Sequence, residues 1–239
     1  MKNIKGFTLV ELLVAMGVTM VLMGAVYMAV NATQRNSSAI ERKVAAQQDI
    51  KPVLDLMAME IGMASYNPTA AANLWVNPTG ACTANSPNPG YRGIQEATTN
   101  SIVVEMDISG SATGDGDGSL GPPDNNEVIR YSYNTVYQYI TRETNCGGGQ
   151  PFLGDIPTRT RAVRVINNTA GTGNAPIPVF RYYDGTGADI GATLPAAIPD
   201  IRRIDITLAV ETENVDPNTG LRRQLIYSTS VIPRNHAIQ

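Results

Sequence analysis

The feature that most constrains this chain is an apolar run near its start that leads into a second, differently patterned helical stretch without a break. Phe7 to Val30 is apolar apart from one carboxylate, Glu11, and no further charge follows until Arg35. An apolar helix of about 20 residues is long enough to span a bilayer. No proline falls between Phe7 and Lys51, so nothing in that stretch forces the backbone out of a helix. Arg35 to Lys43 is polar around Ile40. Then Ile50, Val53, Leu54, Met57, Ile61 and Ala64 recur at three- and four-residue intervals, the pattern of a helix with one apolar face. Pro52 lies inside that pattern and predicts a kink, or a break near Lys51. Asn67-Pro68 ends it. A helix from Phe7 to Tyr66 is roughly 90 Å long at about 1.5 Å per residue, too long for one compact domain to bury, so its first half must protrude.

Glu11 is the odd residue in the run. A carboxylate at that depth costs at least ~2.5 kcal/mol, which makes it a functional residue by default. Lys2 and Lys5 precede Gly6, and this charge asymmetry places the N-terminus in the cytoplasm and the rest of the chain across the membrane. No small-x-small site follows the apolar stretch, as a conventional secretory signal would require. The stretch Gly6-Phe7-Thr8-Leu9-Val10-Glu11-Leu12-Leu13-Val14-Ala15-Met16 resembles the processing site of type IV prepilins and of type II secretion pseudopilins. The resemblance implies that a prepilin peptidase cleaves between Gly6 and Phe7 and methylates the new amine of Phe7. It also implies that Glu11 pairs with an N-terminal amine during assembly, that of the adjoining subunit. Gly17 and Gly24 are seven residues apart and share a helix face. They read either as close helix–helix approach or as ordinary tolerance of glycine in membrane helices.

The expected division is a leader at residues 1–6, a transmembrane and filament-core segment at 7–35, an amphipathic half-helix at 36–66, and a β-rich domain at 67–239. About 200 residues beyond the anchor are enough for one domain with its own core. Gly, Pro, Asn and Thr are plentiful there, which predicts short strands and turns. The expected fold class is α+β; the prepilin resemblance implies a pilin-like plan, a long N-terminal helix packed on a mainly antiparallel sheet. Strands are predicted at Ile102–Ile108, in a hairpin from Glu127 to Glu143 that turns at Asn134-Thr135, at Arg161–Ile166, at Val179–Tyr183, and in a final pair around Asp216-Pro217-Asn218-Thr219-Gly220. In that last pair Ile204, Ile206, Leu208 and Val210 share the core face. Asn67 to Glu96 reads as irregular, with Trp75 as a buried anchor.

Export places Cys82 and Cys146 in an oxidising compartment, where a pair of cysteines bridges. Closing a loop of that length is worth about 4 kcal/mol by chain entropy. Asp115, Asp117 and Ser119 alternate like the first half of a calcium loop. The sixth-position glycine and twelfth-position glutamate of an EF-hand are missing, so a noncanonical calcium site at Asp115, Asp117, Asp124 and Glu127 is weighed against a plain solvated turn. No other cofactor is expected.

A weaker resemblance extends along the chain. Val53 to Tyr66, Phe180-Arg181-Tyr182-Tyr183-Asp184, Ile201 to Leu208 and Ser230 to Asn235 are similar to minor pilins of the PilW type, and the general plan to type II secretion pseudopilin J. The resemblance implies a non-catalytic subunit that primes a type IV pilus or forms part of its tip. Its partners would be other minor pilins, the major pilin, the prepilin peptidase and the inner-membrane assembly platform. It would sit in the inner membrane with its domain in the periplasm, and then in the pilus at the cell surface. The alternatives are a pseudopilin of a type II secretion system and a tip-displayed adhesion or DNA-contact module. A formal charge of −3 does not favour nucleic acid. His236 is the only histidine, so Ser-His-Asp or Cys-His chemistry is not expected.

Overall fold

The computed structural model describes residues 6–79, 82, 84–110, 115–122, 124, 126–167 and 176–237. Helix α1 runs from Leu9 to Gly62 as one element of 54 residues, with Pro52 inside it. The break expected near Lys51 does not occur. Proline removes the hydrogen bond to the carbonyl four residues back, here that of Gln48. Both Pro52 and Gln48 are exposed, so water can take the place of the missing donor and the helix continues. It ends at Gly62, five residues before Asn67-Pro68: the Met63 N–H bonds the carbonyls of Met59 and Glu60, and Ser65 then takes a left-handed φ of 67°.

The domain has two antiparallel sheets. The first is a meander of β1 (Ile94–Ala97), β2 (Ser101–Glu105), β3 (Val128–Asn134), β4 (Tyr139–Thr144) and β5 (Gln150–Leu153), in that order. The second is built on β8 (Arg203–Thr212). On one side β8 pairs with β6 (Val163–Val165) and β7 (Phe180–Tyr183); on the other it pairs with β9 (Gln224–Val231). The second half of α1 packs into this pair of sheets. Ile50, Val53, Leu54, Met57, Ile61 and Ala64 are all buried, with Ala46 beside them. They share one core with Ile129, Tyr131 and Tyr133 of β3 and with Ile204, Ile206, Leu208 and Val210 of β8.

Three local expectations change. The β3–β4 turn spans residues 135–138, so Val136 and Tyr137 belong to it rather than to a strand. Asn134 Oδ1 captures the N–H groups of Val136 and Tyr137 at 3.1 and 3.0 Å, and Gln138 takes a left-handed φ of 63°. An Asx turn of this kind overrides the strand preference of a Val-Tyr pair. Strands β1 and β5 were not legible: β1 is bulged between Ile94 and Glu96, which breaks alternation, and β5 contains Pro151, tolerated because the strand is at a sheet edge. Trp75 is only half-buried, and its neighbours Leu74 and Val76 are the buried residues.

Candidate functional site

Among the described residues, nothing packs on the N-terminal half of α1. Its most apolar window has a mean hydropathy of 2.2, and none of that window is buried inside the chain. By length and composition this helix is able to cross a membrane. Phe7 is 87% exposed. Side chains built at Gly6, Gly17 or Gly24 would meet nothing within 4 Å, so no contact within this chain demands glycine at those positions. Thr19 and Thr33 donate their hydroxyls to the carbonyls of Ala15 and Ala29, at 2.7 and 2.9 Å. Those two hydroxyl groups need no outside partner.

Glu11 occupies the first turn. Thr8 caps the helix: the Glu11 N–H bonds Thr8 Oγ1 at 3.3 Å, while Glu11 Oε2 accepts the Thr8 N–H and hydroxyl at 3.1 Å each. This is a reciprocal capping box, whose sequence signature is Thr-x-x-Glu ahead of an apolar run. Glu11 stands out in the sequence by its charge, whereas Thr8, marked only by the Thr-x-x-Glu signature, does not. The box places the carboxylate against the positive end of the helix dipole, four residues from Phe7. Residues 1–5, with Lys2 and Lys5, lie outside the described residues.

Cys82 and Cys146 form a disulfide with Cα atoms 5.8 Å apart. Cys82 is buried against Val76, Val103 and Val128 in a small second core. The bond ties the irregular segment before β1 to the end of β4.

The acidic loop after β2 uses its carboxylates differently from a calcium loop. Asp115 is exposed. Asp117 Oδ1 accepts the N–H and hydroxyl of Ser119 at 2.9 and 2.7 Å, which holds its carboxyl below the usual range. Glu127 is buried, and its Oε1 accepts from Ile108 N, Ser109 N and Ser109 Oγ at 3.2, 3.0 and 3.0 Å. Burial raises its pKa, and those hydrogen bonds oppose the rise. Asp124 Oδ2 and Asp117 Oδ2 both lie beside Gly110. Among the described residues no group of three or more His, Cys, Asp or Glu is placed to hold a metal. The residue that organises the loop is Asp107, which strand alternation pairs with Glu105 on what reads from sequence as a solvated face; both are instead fully buried. Asp107 accepts the N–H groups of Asp117 and Gly118, each at 2.9 Å. A side chain at Gly116 would collide with that carboxylate.

Two further polar clusters fix α1 to the domain. Glu60, on the buried face of the helix, pairs with Arg142 of β4 through Nη2 to Oε1 at 2.6 Å and Nε to Oε2 at 3.2 Å, and accepts the Tyr131 hydroxyl. Burial and the neighbouring Glu60 carboxylate push the Tyr131 hydroxyl pKa well up. His236 is buried at the helix end. Its Nε2–H donates to the Ile198 carbonyl at 2.8 Å, so Nδ1 accepts from the Ser65 hydroxyl at 2.8 Å, and Ser65 Oγ accepts the Gly93 N–H at 3.0 Å. Burial lowers the imidazole pKa to about 4, too weak a base to activate a serine near neutral pH. This Ser-His pair serves as a clamp between the helix end, β1 and the C-terminal segment.

Comparison with known proteins agrees with the N-terminal geometry. Residues 1–27 match the family described as the prokaryotic N-terminal methylation motif. No curated protein matches the chain, and no solved structure matches it. The N-terminus is therefore of the type IV prepilin kind, joined to an α+β, pilin-like architecture.

Proposed function

We propose that this chain is a minor pilin, a non-catalytic subunit that helps prime a type IV pilus or forms part of its tip. The observation that carries the reading is the unburied apolar half of α1 with Glu11 as its one carboxylate. A peptidase removes residues 1–6 and methylates Phe7. The helix resides in the inner membrane with the domain in the periplasm. It then exchanges lipid for the helices of other minor pilins and the major pilin as the assembly platform extracts it. In that core the Glu11 carboxylate requires a cation, because a buried unpaired charge is costly. The N-terminal amine of the adjoining subunit provides one. The exchange is physically reasonable because lipid tails and packed apolar side chains are similar solvents for a helix, and small residues let backbones approach.

Glu11→Ala is expected to leave cleavage intact and to reduce the amount of the chain in purified filaments severalfold. Filaments with unchanged content of this subunit would refute the assignment of Glu11. Gly6→Ala is expected to retain the leader, read as the intact N-terminal mass of the membrane-bound protein; normal cleavage would refute the processing site.

A further inference from the structure

Among the described residues, strand β9 leaves one edge of the second sheet open: it pairs with β8 alone, in an unbroken register from Ile204 opposite Val231 to Glu211 opposite Gln224. The bond from Thr212 N–H to the Arg223 carbonyl, 3.0 Å, fixes the orientation of every backbone group along the strand. Hydrogen-bonded and non-bonded pairs alternate in an antiparallel ladder. Leu225, Tyr227, Thr229 and Val231 therefore face β8, and Gln224, Ile226, Ser228 and Ser230 turn their N–H and C=O groups outward. The far side of β8 obeys the same alternation: the Thr207 N–H reaches the Val179 carbonyl at 2.8 Å, and the Ala209 carbonyl accepts the Ile166 N–H at 2.7 Å. Among the described residues, no backbone hydrogen bond reaches those outward groups of β9.

Sheet edges are normally blunted by lysine, proline, a bulge or an inward charge. Gln224 to Val231 contains no charged residue, no proline and no glycine, and Ile226 is 63% exposed beside the edge. Positive charge brackets it instead, with Arg222 and Arg223 just before and Arg234 just after. The edge thus suits an extended, uncharged strand with carboxylates at its ends.

The direction of β9 rules on who supplies that strand. The turn before β9 touches the middle of α1: Arg42 bonds the Val215 carbonyl, and Asn218 bonds Asn36 at 3.0 Å. At the other end, Val231 Cγ1 lies 3.6 Å from where a Cβ on Gly62 would stand. Strand and helix therefore run the same way. Two copies joined β9 to β9 about a two-fold axis, the usual homodimer arrangement, would pair the strands antiparallel and point their helices in opposite directions. Helices inserted from one side of one membrane exclude that arrangement.

We infer that the open edge of β9 is a strand-addition site for a different subunit of the same filament. The inference rests on the filament-subunit reading above. Hydrogen exchange compares the full-length chain in detergent micelles with the same chain in purified filaments. The amides of Gln224, Ile226, Ser228 and Ser230 are expected to exchange rapidly in micelles and roughly tenfold or more slowly in filaments. Ser228→Pro removes an outward donor without touching the β8 ladder. It is expected to keep the thermal midpoint of the isolated protein and to lose filament incorporation, while Ser228→Ala incorporates normally. Fast-exchanging edge amides in filaments that contain the wild-type chain would overturn the strand-addition site and leave the filament reading standing. Absence of the wild-type chain from filaments would overturn the filament reading instead, and the site with it. Protection of the edge in micelles or lipid vesicles holding this chain alone would mean a second copy or the membrane, and would also overturn the site. If Ser228→Pro fails to fold, the exchange of the wild-type amides decides.

Discussion

Residues 9–30 and 50–61 are parts of one continuous helix, yet they are built for different surroundings. The first part is apolar on every side, and among the described residues nothing buries its most apolar window. The second is apolar on one face only, and that face is buried down to Met57 and Ile61. Each carries a carboxylate beside apolar residues: Glu11 in the first and the buried Glu60 in the second, whose other acid, Asp55, is exposed. Glu60 is neutralised within the chain by Arg142. Among the described residues, Glu11 meets its own first turn, through Thr8. The difference teaches where each half finds its partners: the second half is completed by its own domain, and the first is completed only by lipid or by other helices.

Breaking Glu60 should have the largest effect. Glu60→Ala leaves Arg142 half-buried and Tyr131 buried without their acceptor, which costs about 3–5 kcal/mol. Urea unfolding of the full-length protein in micelles, followed by the fluorescence of Trp75, measures it. The comparison sharpens with a matched pair of truncations. Met57→Ala should cost about 2–5 kcal/mol in the same assay. Leu13→Ala, on the uncovered half, should leave the unfolding curve unchanged and weaken only filament incorporation. Equal losses from both would erase the distinction between the halves.

The clamp at the helix end is next in size. The folded protein keeps His236 neutral down to about pH 4, whereas the unfolded chain takes up the proton near 6.5. Stability should therefore fall as pH drops through that interval, by about 3 kcal/mol in total, with no further loss from this group below it. His236→Gln should flatten this part of the pH profile, checked by thermal midpoints across the interval. A slope unchanged by the substitution would assign the pH dependence elsewhere. The smallest effect belongs to the uncovered end. Thr8→Ala removes a cap worth about 1 kcal/mol. It should speed amide exchange in the first turn, at Glu11 above all, without altering the domain's unfolding.

Much of the architecture could be read in advance because periodicity reports a face directly. The recurrence from Ile50 to Ala64 and the alternation from Ile204 to Val210 placed the core-facing residues before any packing was known. Trp75 and strands β1 and β5 escaped because nothing local marks them. Composition alone does not bury a tryptophan, a bulge hides the alternation of β1, and Pro151 argues against a strand that only an edge position permits. Glu60 escaped, and Asp107 was assigned with Glu105 to a solvated face rather than the interior, for a related reason. A lone carboxylate in an apolar pattern looks the same whether it meets backbone amides, an arginine from another strand, or a subunit outside the chain.

The sequence by itself determined the N-terminal motif, the length of the helix, its change from wholly apolar to one-faced, and the single charge at Glu11. These are local properties, set by residue type and spacing. Only the tertiary structure decided that Pro52 leaves the helix unbroken, that Arg142 answers Glu60 from 82 residues away, and that β9 lies parallel to α1 with its edge open. Each depends on contacts between segments far apart in the chain, and burial and direction do not exist until those segments meet.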